Sequence, residues 1–321
     1  MIRNIISSHS KEIIEEVKPY LEFKSLTPMT ITPNYTNTGI TLQYSLDTVN
    51  WVNIAAKAVT PSSNIIYFRG SAVGTKSLFT GGNVSNAWLF TGATNLEVNG
   101  DITMLIQNVL GGAVSEIPLA NFCYNNMFYN CTSLVKAPTL PSTTLANNCY
   151  SSMFQNCRSL TTTPELPSTT LAYACYNGMF YNCSSLTTAP ALPAITLANF
   201  CYNGMFQGCT SLTTVQALPA TTLADYCYNN MFSGCRSLVT APTLPAIMLA
   251  NFCYSSMFYN CGKIKISTTN VGSYNNTYRV PFAGTGIVGT NSLADMFTGT
   301  GGTFKGTPTI NTTYYTENTV V

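Results

Sequence analysis

Cysteine recurs at Cys123, Cys149, Cys175, Cys201, Cys227 and Cys253, always 26 residues apart. Each is followed eight residues later by another, at Cys131, Cys157, Cys183, Cys209, Cys235 and Cys261, and these twelve are all the cysteines of the chain. Every pair sits in the phrase L-A-x-x-C-Y-x-x-M-F-x-x-C, usually followed by S-L-x-x-x-P-x-L-P. A fixed period of this length marks stacked supersecondary units, none of which can bury its apolar face alone. Residues 117–267 therefore read as a six-repeat solenoid with a long surface. Such a surface suits binding or assembly better than catalysis.

Within the second repeat, Leu145, Cys149, Met153 and Cys157 are spaced by four, with Tyr150 and Phe154 in the adjoining row. That spacing predicts one broad apolar face of a helix of about three turns. Pro141 and the Thr143-Thr144 pair precede it, as helix starts prefer. Leu160 and the threonines after it suit a short strand, which Pro164 ends. The expectation is an α/β solenoid of 26-residue helix–strand repeats. Strands stack ~4.8 Å apart and helices ~8–10 Å apart, so that arrangement would curve, with strands inside and helices outside.

The rest of the chain divides on composition. Residues 3–21 read as an amphipathic helix with Ile6, Ile13, Val17 and Leu21 near one stripe. It is either a helix docked on the next domain or a segment for attachment and oligomerisation (1–21), since much of the charge is gathered there. Residues 22–80 switch to period two, in stretches such as Met29–Thr32, Ile40–Leu46, Trp51–Ala55 and Asn64–Arg69, and predict a small β domain. Residues 81–116, with a strand expected over Leu96–Leu110, form an N-terminal cap. The Thr-, Gly- and Asn-rich residues 268–321 form a β-rich C-terminal cap, in which residues 293–297 look like a broken echo of the repeat.

Charge is scarce. Only 8% of residues are Asp, Glu, Lys or Arg, against a usual ~25%. The net charge of +2 is not gathered into a basic stripe, so the phosphate-neutralising footprint of a nucleic-acid binder is missing. No apolar run approaches the ~18 residues of a membrane span, which argues against membrane insertion. The first residues also lack the ~7–15-residue apolar stretch of a secretory signal, so the expectation is assembly in a cytoplasm, which Met1 favours, the alternative being a leader removed beforehand.

Twelve cysteines raise the question of cross-links. On a helix the two thiols of one repeat would lie about 12 Å apart, and equivalent ones on neighbouring helices ~8–10 Å apart. A disulfide needs Cα atoms ~4.4–6.8 Å apart. Zinc favours closer knuckles than C-x₇-C and no histidine lies nearby. Buried free thiols are the main reading, with inter-repeat disulfides and a metal as alternatives. The tyrosine column from Tyr124 to Tyr254 is expected to bury its rings and expose its hydroxyls, the alternative being a binding stripe. The strand column Lys136, Thr162, Thr188, Thr214 and Thr240 is the candidate ligand surface, or else a plain threonine ladder.

The only histidine is His9, so no Cys–His dyad or His general base can be built in the repeats. Between residues 117 and 262 the charged residues are Lys136, Arg158, Glu165, Asp225 and Arg236 alone, too few for paired glycosidic carboxylates. No phosphate-binding glycine loop is visible. The expectation is a non-enzyme with no cofactor and no metal.

The phrase M-F-x-x-C-x-S-L-x-x-x-P-x-L-P, carried by Met127, Phe128, Cys131, Leu134 and their five counterparts, resembles the BspA-like leucine-rich repeats of Bacteroides-type surface proteins. That resemblance implies a leucine-rich-repeat solenoid used in adhesion and host interaction, without a shared ligand pocket. Similar repeats also occur in proteins of phages that infect such bacteria. Together with the missing leader, this gives the expectation of a virion-associated fibre or decoration protein. It would be homo-oligomeric and held to other virion proteins by its N-terminal region, with the solenoid meeting a glycan or protein of the host surface. The alternative is a bacterial cell-surface adhesin.

Overall fold

The computed structural model describes residues 18–34, 40–54, 58–61, 64–71, 86–106 and 119–318. Each of the six repeats forms one coil of a solenoid, but none contains an α-helix. No α-helix occurs among the described residues, where the short 3-10 turn Ile102–Leu105 is the helical element with a defined range. The helix–strand repeat expected from the four-residue spacing is thus overturned. The segment bearing both cysteines is a chain of overlapping turns.

Backbone hydrogen bonds show how it is built. In the first repeat the N–H groups of Cys123, Asn125, Met127, Tyr129 and Cys131 each donate three residues back, to the carbonyls of Ala120, Phe122, Tyr124, Asn126 and Phe128. The intervening N–H groups of Phe122, Tyr124, Asn126, Phe128 and Asn130 point out of the coil. They donate to Asn147, Cys149, Ser151, Met153 and Gln155 of the next one. Every fourth residue, Phe122, Asn126 and Asn130, has positive φ, which suits the third position of a type II turn. The same rhythm recurs at Asn148, Ser152 and Asn156 and in every later coil. A helix would keep all these N–H groups for itself and forbid the left-handed residues.

One physical consequence is a close approach of neighbouring coils. The turn wall is held at the ladder spacing of roughly 4.8 Å instead of the ~8–10 Å of packed helices. Identical side chains lie directly above one another. Tyr124, Tyr150, Tyr176, Tyr202, Tyr228 and Tyr254 stack face to face at 5.6–5.9 Å. A parallel column of phenylalanines runs from Phe90 through Phe128, Phe154, Phe180, Phe206, Phe232 and Phe258 to Phe297 at 5.5–5.9 Å. With the cysteines, methionines and leucines of the phrase, these columns make one continuous core.

The strand half of the repeat is slighter than expected. Strand β8 (Leu134–Lys136) belongs to the first coil, while later coils show single parallel bridges such as Thr188 to Thr214.

The N-terminal strands are β1 (Leu21–Lys24), β2 (Thr30–Thr32), β3 (Thr41–Ser45), β4 (Val52–Asn53), β5 (Ile65–Ser71), β6 (Leu89–Thr91) and β7 (Leu96–Asn99). The strand expected over Leu96–Leu110 stops early and passes into the 3-10 turn, capped by Asp101. One six-stranded sheet, in the order β4-β3-β5-β1-β7-β8, joins this domain to the solenoid. Strand β7 lies parallel to β8, and Trp88 N–H donates to Met127 O at 2.9 Å. Phe23 stacks on Phe90 and meets Phe68 edge-on, which closes the phenylalanine column.

At the far end a seventh coil forms at residues 291–299, displaced 39 residues from the sixth instead of 26, with Phe258 stacked on Phe297. The echo in the sequence at 293–297 is this coil. Its column ends on the edge-on rings of Tyr278 and Phe304. Strands β9 (Lys265–Ser267), β10 (Asn276–Arg279), β11 (Gly301–Gly302) and β12 (Thr313–Thr316) form a sheet in the order β10-β12-β9-β11. The proposed attachment residues Ile6, Ile13 and Val17 lie outside the described residues. Leu21, placed at the end of the same helix, instead begins β1 and is fully buried.

Candidate binding surface

Side chains that face outward from the ladders are the exposed, repetitive part of this molecule. Of the column singled out in the sequence, Lys136, Thr162, Thr188 and Thr214 are exposed, and Thr240 is half-buried. Thr188 and Thr214 are bridged neighbours. Beside them, Thr213 donates through both its N–H and its hydroxyl to the carbonyl of Thr187, at 3.0 and 3.2 Å. Lys136 sits at the end of β8, in register with Glu97 of β7. The column therefore abuts the solvent face of the N-terminal sheet.

A second column was missed. Thr144, Thr170, Thr196 and Thr222 are all exposed and recur at the 26-residue period. Parallel bridges join Thr144 to Thr170 and Thr196 to Thr222. The repeated T-L-A phrase announced them, but those threonines were read as the start of a helix. The column turns apolar in the last coils, where Met248 bridges Ile287.

Two other expected surfaces are interior. The tyrosine column is buried to the hydroxyl: Tyr124 donates to Ile102 O at 3.2 Å, while the hydroxyls of Tyr228 and Tyr254 are buried with no partner among the described residues. Exposed tyrosine hydroxyls are thus a corrected expectation. The cysteines are free and buried, but not for the reason first given. They lie on turn ladders rather than helices, and neighbouring coils are closer than helices could be. What holds one column in place, after Cys131, is a hydrogen bond from each thiol to the preceding coil, as in Cys183 to Phe154 O at 3.1 Å and Cys209 to Phe180 O at 3.1 Å. Burial pushes Cys183 up to about 12, so the thiols stay protonated and inert at neutral pH. Among the described residues no group of three or more His, Cys, Asp or Glu side chains is placed to hold a metal ion.

Against the family models, the BspA type leucine rich repeat region matches in six copies over residues 121–239 and 195–290. The matches together span residues 121 to 290, a little over half of the chain. The chain belongs to the BspA-type leucine-rich repeat family. Its coils, with turn ladders in place of helices, are how this family member stacks its repeats, and membership points to a surface protein of the adhesion type. No curated protein and no solved structure matches the chain.

Proposed function

We propose that this BspA-type chain is a non-enzymatic adhesive scaffold. Its stacked coils display rows of uncharged hydroxyl groups to a glycan or protein of a host surface. The observation that carries this reading is the pair of exposed threonine columns at the ladder spacing. Such rows offer a donor and an acceptor at every rung, and solenoids commonly bind along extended repeat surfaces. Hydroxyl rows without charge suit sugar hydroxyls and neutral peptide groups. They do not suit phosphates.

The carrier we propose is a phage particle, to which the N-terminal region would attach the chain as an oligomeric fibre or decoration. The support is compositional: Arg3, Lys11, Glu12, Glu15, Glu16, Lys18, Glu22 and Lys24 gather eight of the 26 charged residues into the first 24. The bacterial envelope is the competing carrier. Copurification of the chain with purified particles supports the first, and fractionation with envelopes replaces it with the second.

The ligand-facing role is tested by the triple variant Thr162→Ala, Thr188→Ala, Thr214→Ala in a whole-cell adhesion assay. These side chains are exposed, so the variant should fold as the parent does and lose adhesion at least tenfold. Undiminished adhesion would remove this column from the site and leave Thr144, Thr170, Thr196 and Thr222 to be tested in the same way.

A further inference from the structure

The solvent face of the six-stranded sheet differs from its inner face in an unexpected way. Its opposite face is core, with Leu21, Phe23, Leu42, Ile66, Phe68 and Val98 all fully buried. The outer face should then be plainly polar, yet it carries an aromatic cluster. Tyr20 meets Tyr67 edge-on at 5.1 Å and Trp51 at 6.1 Å. The guanidinium carbon of Arg69 lies over the Trp51 ring, 4.0 Å from its centre. Its Nε donates to Gln43 Oε1 at 2.9 Å, and Gln43 in turn donates to Asn53 Oδ1 at 2.8 Å.

Arg69 is thus held over one ring and along one edge, while its two terminal nitrogens have no acceptor among the described residues. No carboxylate among the described residues forms an ion pair with this guanidinium fork. The nearest row of the sheet does hold a carboxylate, Glu22, in register with Tyr67 and Asn99. It is already engaged by Asn99 Nδ2 at 3.1 Å and by Lys18 at 3.9 Å. A planar fork fits a carboxylate with two parallel bonds. The edges of Tyr20 and Tyr67 supply apolar contact beside it, and Gln43 and Asn53 supply amides.

We infer that this face is a binding site for a carboxylate-bearing sugar of the uronic or sialic acid class, with Arg69 gripping the carboxylate and the Tyr20–Trp51–Tyr67 cluster seating the ring. A sugar fits better than an acidic peptide because Tyr67 and Arg69 stand on the face of β5, an interior strand of the sheet, whereas a peptide backbone would pair along the edge strand β4. The site is separate from the threonine columns, so either can fail without the other.

The test measures binding of the full chain to oligogalacturonate and to sialyllactose by calorimetry, with neutral lactose as the control. The expected result is binding of at least one acidic sugar, weakened by added salt, with lactose at least tenfold weaker. Arg69→Gln should lower the acidic-sugar affinity at least tenfold. Arg69→Lys, which keeps the charge and its place over Trp51 but loses the fork, should lower it several-fold while leaving the melting temperature near the parent's. Absence of binding to both acidic sugars, equal binding of lactose, or full affinity in Arg69→Lys would each overturn the inference. Preference for an aspartate- and glutamate-rich peptide over both sugars would overturn it in favour of a protein partner. Whole-cell adhesion lost in the threonine variant but kept in Arg69→Gln would leave the ladder reading standing alone.

Discussion

Gly208 takes a left-handed conformation, φ 77°, beneath the side chain of Asn182, whose Oδ1 occupies the place a Cβ on Gly208 would need. Asn182 itself is tied to Asn156 Oδ1 at 3.1 Å, one rung of an asparagine ladder that gives way to glycine at this point. Gly234, one coil further on, has the same conformation, φ 75°, but a Cβ there would meet only ordinary contacts, 3.7 Å from Gly208. The two glycines therefore separate backbone strain from steric collision. Gly234→Ala should cost about 1 kcal/mol, the left-handed penalty alone. Gly208→Ala should cost roughly 2–3 kcal/mol in urea titrations, since a packing clash is added to the same strain. Adding Asn182→Ala to Gly208→Ala should relieve the clash, and equal costs for the two glycines would contradict this account.

Burial of the thiols makes the fold sensitive to alkali. Cys131, Cys175, Cys183, Cys227 and Cys261 are each pushed up to about 12 by desolvation. An unfolded cysteine titrates near ~8.5. Between those values the native state holds protons that the unfolded state releases, so stability is complete below about pH 8.5 and falls as pH rises. The slope is about 1.4 kcal/mol per pH unit for each such thiol. Five acting together would consume an ordinary stability of 5–15 kcal/mol within one or two pH units. Circular dichroism against pH should show cooperative unfolding near pH 10. A Cys131→Ala, Cys157→Ala, Cys183→Ala variant should begin less stable at pH 7 but show a shallower decline.

Much of the architecture was legible, and the part that was not has a definite cause. The 26-residue period and its six copies followed from spacing, because such a repeat admits little else, whereas the seventh coil, displaced by 39 residues, showed in the sequence only as a broken echo. The local conformation did not. Leu145, Cys149, Met153 and Cys157 recur every four residues, which a helix satisfies, but a chain of alternating turns with one left-handed residue in four satisfies it equally. The signal that separates the two lay in the outward positions: Asn-Gly at 177–178 and 203–204, and Asn or Gly at 126, 130, 156, 182, 208, 230, 234 and 260. Such residues are poor in helix interiors and favoured where φ is positive. Of the two proposed ligand-facing threonine columns, one was legible. The column through Thr188 and Thr214 was visible as strand, whereas the one through Thr170 and Thr196 was hidden by the helix assignment. The cluster around Arg69 depends on strand register across residues far apart in sequence.

Stacked rings carry the last prediction. Phe180 lies between Phe154 and Phe206, 5.6 and 5.5 Å away and nearly parallel to both, and it is fully buried. Removing it deletes two stacking partners and opens a cavity in the middle of the column. Phe180→Ala should therefore cost on the order of 3–5 kcal/mol. In a solenoid stability passes between neighbours, so this loss should also divide the stack. Guanidinium titration should then show two transitions where the parent shows one, with hydrogen exchange accelerating first at Phe154 and Phe206. Phe304→Ala, which removes an edge-on contact to Phe297 and a tilted one to Tyr314 at the end of the column, should cost less and leave a single transition. A single unshifted transition in Phe180→Ala would mean that the ladder hydrogen bonds, rather than the rings, hold the coils in register.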